Sequence, residues 1–214
     1  MSGADEPARP DDTDLILVRH ARPLLTSGTA AAQWVMDPAA VPDVHALANA
    51  VRAHVPTVGS VAGGCNVVAS HEPKAIATAR ELAHVWGCGY STSSDLEEHH
   101  RGPLPLVDDL TWRTTVARLF LHPATLVFGE ETADEARERF TRGVDSVLVK
   151  RSGAAAPAVI VSHGTVITLY LAQANGLDHI ELWDSLQLPE ALLVRSRDRR
   201  LLGRVTPDGD LRLP

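Results

Sequence analysis

Three short stretches of the chain are apolar without interruption: Leu15-Ile16-Leu17-Val18, Val67-Val68-Ala69 and Val159-Ile160-Val161. A strand with one wet face alternates between apolar and polar residues. A run that does not alternate predicts a strand covered on both faces, as in a parallel sheet. Between these runs the apolar period changes. Val44, Leu47, Ala48, Val51 and Val55 recur at spacings of three and four, which predicts an amphipathic helix with Asp43 as its N-cap. Ile76, Ala79, Leu82, Ala83 and Trp86 predict a second helix from Pro73 to Trp86, ended by Gly87 and Gly89. Thr132-x-x-Glu135 reads as a capping box opening a helix that carries Ala136, Phe140, Val144 and Val147. Thr165 to Ala174 reads as a helix closed by Asn175-Gly176. Leu192–Val194 and Leu201–Val205 read as a closing pair of strands.

Strands alternating with helices predict an α/β sandwich around a largely parallel sheet. Residues 103–129 fit the alternation worst. They are expected to form a small cap-like insertion over one end of the sheet, with Trp112, Val116, Leu119 and Phe120 on one short helix. Trp112, Leu119 and Phe120 are read there as core. Residues 1–13, rich in Pro and Asp, are expected to be a disordered tail before a single domain at 14–214. Gly63-Gly64 reads as a turn, and Ser152 to Pro157 as a small-residue loop.

Composition narrows the function classes. At 214 residues the chain can bury a core without a disulfide or metal staple. Lys and Arg number 20 against 27 Asp and Glu, a net charge of −7, which argues against a general nucleic-acid binder. It leaves room for a local anion site. Cys65 and Cys88 make no Cys-x-x-Cys pair, so neither a disulfide framework nor a zinc ribbon is expected. No run approaches the ~18 apolar residues of a membrane span. The acidic, polar start does not read as a signal peptide. A soluble cytoplasmic protein is the expectation, with a homodimer left open.

The apolar runs share a feature that bears on chemistry: each stops at a polar cluster. Leu15–Val18 stops at Arg19-His20, and Val67–Ala69 at Ser70, with Lys74 one helical turn on. Val159–Val161 stops at Ser162-His163-Gly164. Ligands of open α/β sheets bind outside the carboxyl ends of the strands. One polar strand end is ordinary; three with matching chemistry point to a site. Two cations, two imidazoles, a hydroxyl and helix N-terminal amides suit an anion, phosphate above all. His99 and His100 beside Glu98 invite a metal reading. Adjacent residues point in different directions, however, and no His-Glu-x-x-His is present, so no metal is expected. Ser162 lacks the Gly-x-Ser-x-Gly elbow of serine hydrolases.

These motifs resemble the histidine phosphatase superfamily, which includes the phosphoglycerate mutases. Leu17-Val18-Arg19-His20-Ala21 resembles its Arg-His-Gly signature. Ser70-His71-Glu72-Pro73-Lys74-Ala75, continuing to Thr78-Ala79, resembles its second motif. Leu96-Glu97-Glu98 with Gly102 is similar to its Leu-x-Glu-x-x-x-Gly, and Ser162-His163-Gly164 to its late Ser-His-Gly. Phe128-Gly129-Glu130-Glu131-Thr132 resembles its Gly-Glu-Ser helix start, and the motifs keep the family's order.

The resemblance implies a three-layer α/β/α sandwich, phosphoglycerate mutase-like, with a small cap. It implies that His20 attacks phosphorus and becomes phosphohistidine, while Arg19, Lys74 and His163 hold phosphoryl oxygens. Thr26 and Gly164 would join them as phosphate-binding residues. Glu98 would protonate the leaving oxygen and then deprotonate water, which calls for a carboxyl with a raised pKa. No cofactor is implied, and the expected partner is a small phosphorylated metabolite. The chain departs from the pattern at Ala21, where Gly is usual, at Arg22 and Pro23, at Thr26 in place of Asn, and at Lys74 in place of Arg. The expected activity is therefore phosphomonoester hydrolysis. Mutase-type phosphoryl transfer and a weakly catalytic phosphate-binding regulator are the alternatives.

Overall fold

A computed structural model describes residues 12–59, 66–102, 108–151 and 156–213 of the chain. The apolar runs form β1 (Leu15–Arg19), β2 (Asn66–Ser70) and β4 (Ala158–Ser162). They join β3 (Gly89–Ser93), β5 (Glu190–Arg195), β6 (Arg200–Val205) and β7 (Leu211–Arg212) in one sheet of order β3-β2-β4-β1-β5-β6-β7. The first four strands pair in parallel, and β5, β6 and β7 continue antiparallel. This is a mixed α/β fold whose sheet is parallel in its core.

The lack of alternation has the expected cause. Along β1, Leu15 and Leu17 enter one hydrophobic cluster while Ile16 and Val18 enter another on the opposite face. The second cluster is covered by α1 (Val41–His54) and α2 (Pro73–Trp86). The first is covered by α3 (Asp109–Leu121), α4 (Ala133–Lys150), α5 (Gly164–Asn175) and α6 (His179–Ser185). Side chains on both faces are thus removed from water, which drives the three layers together. The Thr132–Glu135 capping box forms in full.

Several expectations change. Asp43 is not the N-cap of α1. A short 3-10 turn over Pro38–Ala40, capped by Asp37, runs straight into α1, so Asp43 lies inside its first turn. Gly89 does not simply end α2 but opens β3, a polar strand exposed along nearly its whole length. α6 has no apolar run to announce it; Asp178 caps it by accepting from the Ile180 and Glu181 amides at 2.8 and 2.9 Å. The insertion contains a full helix, α3, seated beside α6. Residues 1–11 of the expected tail, Cys65, the Gly63-Gly64 turn, residues 103–107 of the insertion and 152–155 of the small-residue loop lie outside the described residues. Among the described residues no helix is long and apolar enough to cross a membrane.

Candidate active site

β2, β4 and β1 are adjacent in the sheet, and neighbouring strands lie about 4.8 Å apart. Their carboxyl ends therefore deliver Ser70, His163 and Arg19-His20 to one edge. A cavity of about 750 Å³ opens there, lined by Arg19, His20, Lys74, Glu98, His163 and Gly164 among others. Six of the seven expected site residues are thus brought together. Thr26 is the exception and is a correction. It is exposed, it is not part of the lining, its hydroxyl turns to the Leu24 carbonyl, and its own carbonyl accepts from Trp34 Nε1 at 3.2 Å. The loop after β1 carries it away from the strand ends.

His20 is buried at the end of β1, and its backbone amide bonds the Ser162 carbonyl at 2.9 Å. The Ala21 amide next to it donates to Thr78 Oγ1 of α2 at 2.9 Å, so the nucleophile loop is fixed from two layers. Burial holds the His20 imidazole well below its usual range, with His163 and Lys74 pushing the same way. A neutral ring bonded through Nδ1 to the Ala21 carbonyl at 2.7 Å must donate from Nδ1. That leaves the lone pair on Nε2, the form a nucleophile needs.

His163 caps α5 and stands edge-on to His20, with ring centroids 5.0 Å apart. Burial, followed by Lys74, also holds it well below its usual range. Its Nε2 lies 2.8 Å from Ser70 Oγ and 3.3 Å from Glu72 Oε1. Arg19 donates from Nη1 to the Leu186 carbonyl, while its Nε is buried with no hydrogen-bond partner. The guanidinium lies flat against Gly164: a Cβ there would sit 3.2 Å from Arg19 Cζ and Nε. Glycine at 164 is the residue that lets the cation reach the helix start.

Glu98 is also buried, but its environment differs from the expected one. It accepts from the Thr165 and Val166 amides at 3.2 and 3.3 Å, from the His99 amide at 2.9 Å and from Arg101 Nη2 at 3.1 Å. Burial alone would raise its carboxyl. Arg101 leads the groups that outweigh burial and hold it below its usual range. The α5 N-terminus adds a favourable dipole for the ionised form. Glu98 is therefore a carboxylate here, not the raised acid expected.

Sequence reasoning missed several residues of this site. Glu72, just ahead of α2, ion-pairs with Lys74, and the two side chains are each 7% exposed. Glu72 also accepts from the Glu98 amide at 2.9 Å, and Lys74 Nζ donates to the Ala31 carbonyl at 2.9 Å. The Glu-Pro-Lys spacing at a helix start was the available signal. Arg139 of α4 donates to the carbonyls of Asp95, Glu97 and Glu98 at 2.9–3.1 Å and to Glu131, which locks the Glu98 loop. Trp112 is half-buried: it packs against the core cluster, as expected, and with Trp34 and Trp183 it also lines the cavity, while Leu119 and Phe120 are buried in the core. Removing one member of a buried ion pair strands the other. Lys74→Ala should thus destabilise the protein by on the order of 3 kcal/mol in denaturant unfolding. Lys74→Ala combined with Glu72→Gln should recover most of that loss. Equal stability of the single and double variants would contradict the pairing.

A family model, the histidine phosphatase superfamily (branch 1), matches residues 15–197. Comparison with curated proteins found no match. Among solved structures, a mycobacterial glucosyl-3-phosphoglycerate phosphatase is 18% identical, with TM-score 0.59 over 87% of this chain and 95% of that one. A phosphoserine phosphatase mutant from Entamoeba histolytica is 11% identical, with TM-score 0.66 over 91% and 98%. A phosphoglycerate mutase from Bacillus anthracis is 13% identical, with TM-score 0.61 over 90% and 93%. At these identities the likeness establishes the fold.

Proposed function

The chain belongs to branch 1 of the histidine phosphatase superfamily, a phosphatase-type enzyme, and on that premise we propose that it hydrolyses a small phosphomonoester through a phosphohistidine at His20. The observation that carries this reading is the Nδ1 bond from His20 to the Ala21 carbonyl, which leaves Nε2 free to attack in a cavity lined by Arg19, Lys74 and His163. Nε2 forms the N–P bond as the P–O bond breaks, and Glu98, after taking up a proton from solvent, passes it to the departing oxygen. Water then attacks the phosphohistidine, with Glu98 taking its proton. The protein cations stabilise charge on the equatorial phosphoryl oxygens, and the proposed reaction needs no metal.

Phosphatase names among the structural neighbours support hydrolysis over mutase transfer. One feature favours a weakly catalytic phosphate binder instead: Lys74 is matched one to one by Glu72. Turnover separates the two. Purified protein should hydrolyse p-nitrophenyl phosphate and at least one member of a phosphorylated metabolite panel, and should acquire acid-labile phosphate. EDTA should leave the rate unchanged, and vanadate should inhibit, because it mimics the five-coordinate phosphoryl group. Activity lost to EDTA and restored by zinc would overturn the metal-free mechanism. Phosphate binding without any turnover would favour the regulator.

A further inference from the structure

The lysine of the second motif is already committed. Glu72 and the Ala31 carbonyl hold its ammonium, and the pair is buried. With His20 and His163 neutral, Arg19 is left as the cation at the strand ends whose charge no carboxylate among the described residues matches at contact distance. A phosphoryl dianion calls for more, and the family's second-motif arginine, with its planar two-pronged fork, is absent.

A guanidinium lies elsewhere on the same wall. Arg101 lines the cavity, and its Cζ sits 4.2 Å from the centroid of the Trp112 ring. Stacking orients the plane of the guanidinium and leaves its N–H edges available. Among the described residues its hydrogen-bonding partner is Glu98, at 3.1 Å from Nη2. Its charge also bears on His163 and Arg19, so it acts on the same ground as the phosphoryl group would. The backbone beneath it is anchored. Glu130 N bonds the His100 carbonyl at 2.8 Å, and Gly129, at φ 78°, permits that approach: a Cβ would lie 2.3 Å from the His100 oxygen. The side chain, 22% exposed, can swing while its backbone stays.

We propose that Arg101 supplies the missing phosphoryl-binding guanidinium, moving from Glu98 to the entering phosphoryl oxygens and leaving Glu98 to take up the proton it then donates. The assignment rests on the reading of His20 as nucleophile. Glu98 gains its proton from solvent as Arg101 departs. His20 Nε2 forms the bond to phosphorus, the P–O electron pair stays on the leaving oxygen, and the Glu98 proton joins it. The regenerated carboxylate is then available to take a proton from water.

The other groups facing Glu98 fit this exchange. Glu72, ahead of α2, places a second carboxylate beside it, which favours protonation once Arg101 has gone. His163 and the Thr165 and Val166 amides of α5, Arg19 at the end of β1, the His99 amide and Arg139 of α4 on the Glu98 carbonyl are held by the fold. Arg19 is also partly exposed but is tied to the Leu186 carbonyl, whereas Arg101, 22% exposed, hydrogen-bonds among the described residues to Glu98 itself.

Sulfate tests the exchange without turnover, because this tetrahedral dianion does not titrate near neutral pH. Calorimetry in buffers of different ionisation enthalpy reads both affinity and protons taken up. The unmodified protein should bind sulfate with uptake of close to one proton, and Glu98→Gln should bind with that uptake lost. Arg101→Met should weaken binding about ten- to a hundredfold in both the native and the Glu98→Gln background. Arg101→Lys, a second check on folding, should recover part of the affinity. Sulfate bound equally tightly by Glu98→Gln and by the Arg101→Met, Glu98→Gln double variant would show that Arg101 acts only through Glu98, and the proposal would fall. Failure of the unmodified protein to bind sulfate would also overturn it. Phosphohistidine labelling separates the layers: no label at His20 with the expected sulfate pattern would overturn the reaction and leave the Arg101 anion contact standing. Normal labelling with an unaffected Arg101→Met would do the reverse.

Discussion

Replacing His20 with alanine should abolish turnover and remove acid-labile phosphate from the protein. The neighbouring imidazole of His163 is not placed to substitute: it spends Nε2 on Ser70 and Glu72, and its Nδ1 is buried. Removing the nucleophile of a covalent enzyme costs about 10⁴-fold or more in kcat. The fold should survive, since β1 is held by its backbone pairing to β4 and β5 and by its apolar residues. Steady-state rates on p-nitrophenyl phosphate and a labelling gel check the point together. A His20→Ala protein within tenfold of the native rate would show that the attacking group lies elsewhere.

The second large effect belongs to Glu98. Glu98→Gln keeps the shape and an oxygen to accept from the α5 amides, but it cannot deliver a proton. General acid catalysis contributes about 10²- to 10⁴-fold where the leaving group needs it. An alkyl phosphate should slow by that order during phosphoryl transfer to His20. p-Nitrophenyl phosphate, whose phenolate departs unaided, should slow far less. Transient kinetics of the first half-reaction make the comparison. Equal losses on the two substrates would remove Glu98 from the acid role, whatever its effect on the later water step.

The parts of the molecule that sequence conveyed well are those where one physical cause dominates. β1, β2 and β4 announce themselves because burial on both faces forbids alternation, and α4 because its capping box is local chemistry. β3 escaped because Gly89–Ser93 is an exposed, polar strand, so burial leaves no mark on it. Asp43 does not cap α1 because the preceding 3-10 turn, set by Asp37 and Pro38, supplies the helix start.

The site divides in the same way. Residues at strand ends converge by topology, so Arg19, His20 and His163 were readable. Residues whose place depends on side-chain direction were not. Glu72 turns inward to Lys74, Trp112 turns to the cavity, and Arg101 reaches back to Glu98, while Thr26, on a long loop, turns out. The acid's charge state also escaped, because it depends on Arg101, a partner that no motif specifies.

α5 carries a consequence of its own. From Gly164 to Ala172 every residue is buried, and the same helix begins with His163, the Gly164 contact to Arg19 and the two amides that hold Glu98. Its opening requires the core to open, so its amides belong among the slowest to exchange with deuterium. Reactive geometry and global stability are then one cooperative property. Heat inactivation should coincide with unfolding, with no folded but disarmed species in between, and a substitution that slows the unfolding of the core lengthens the working life of the site with it.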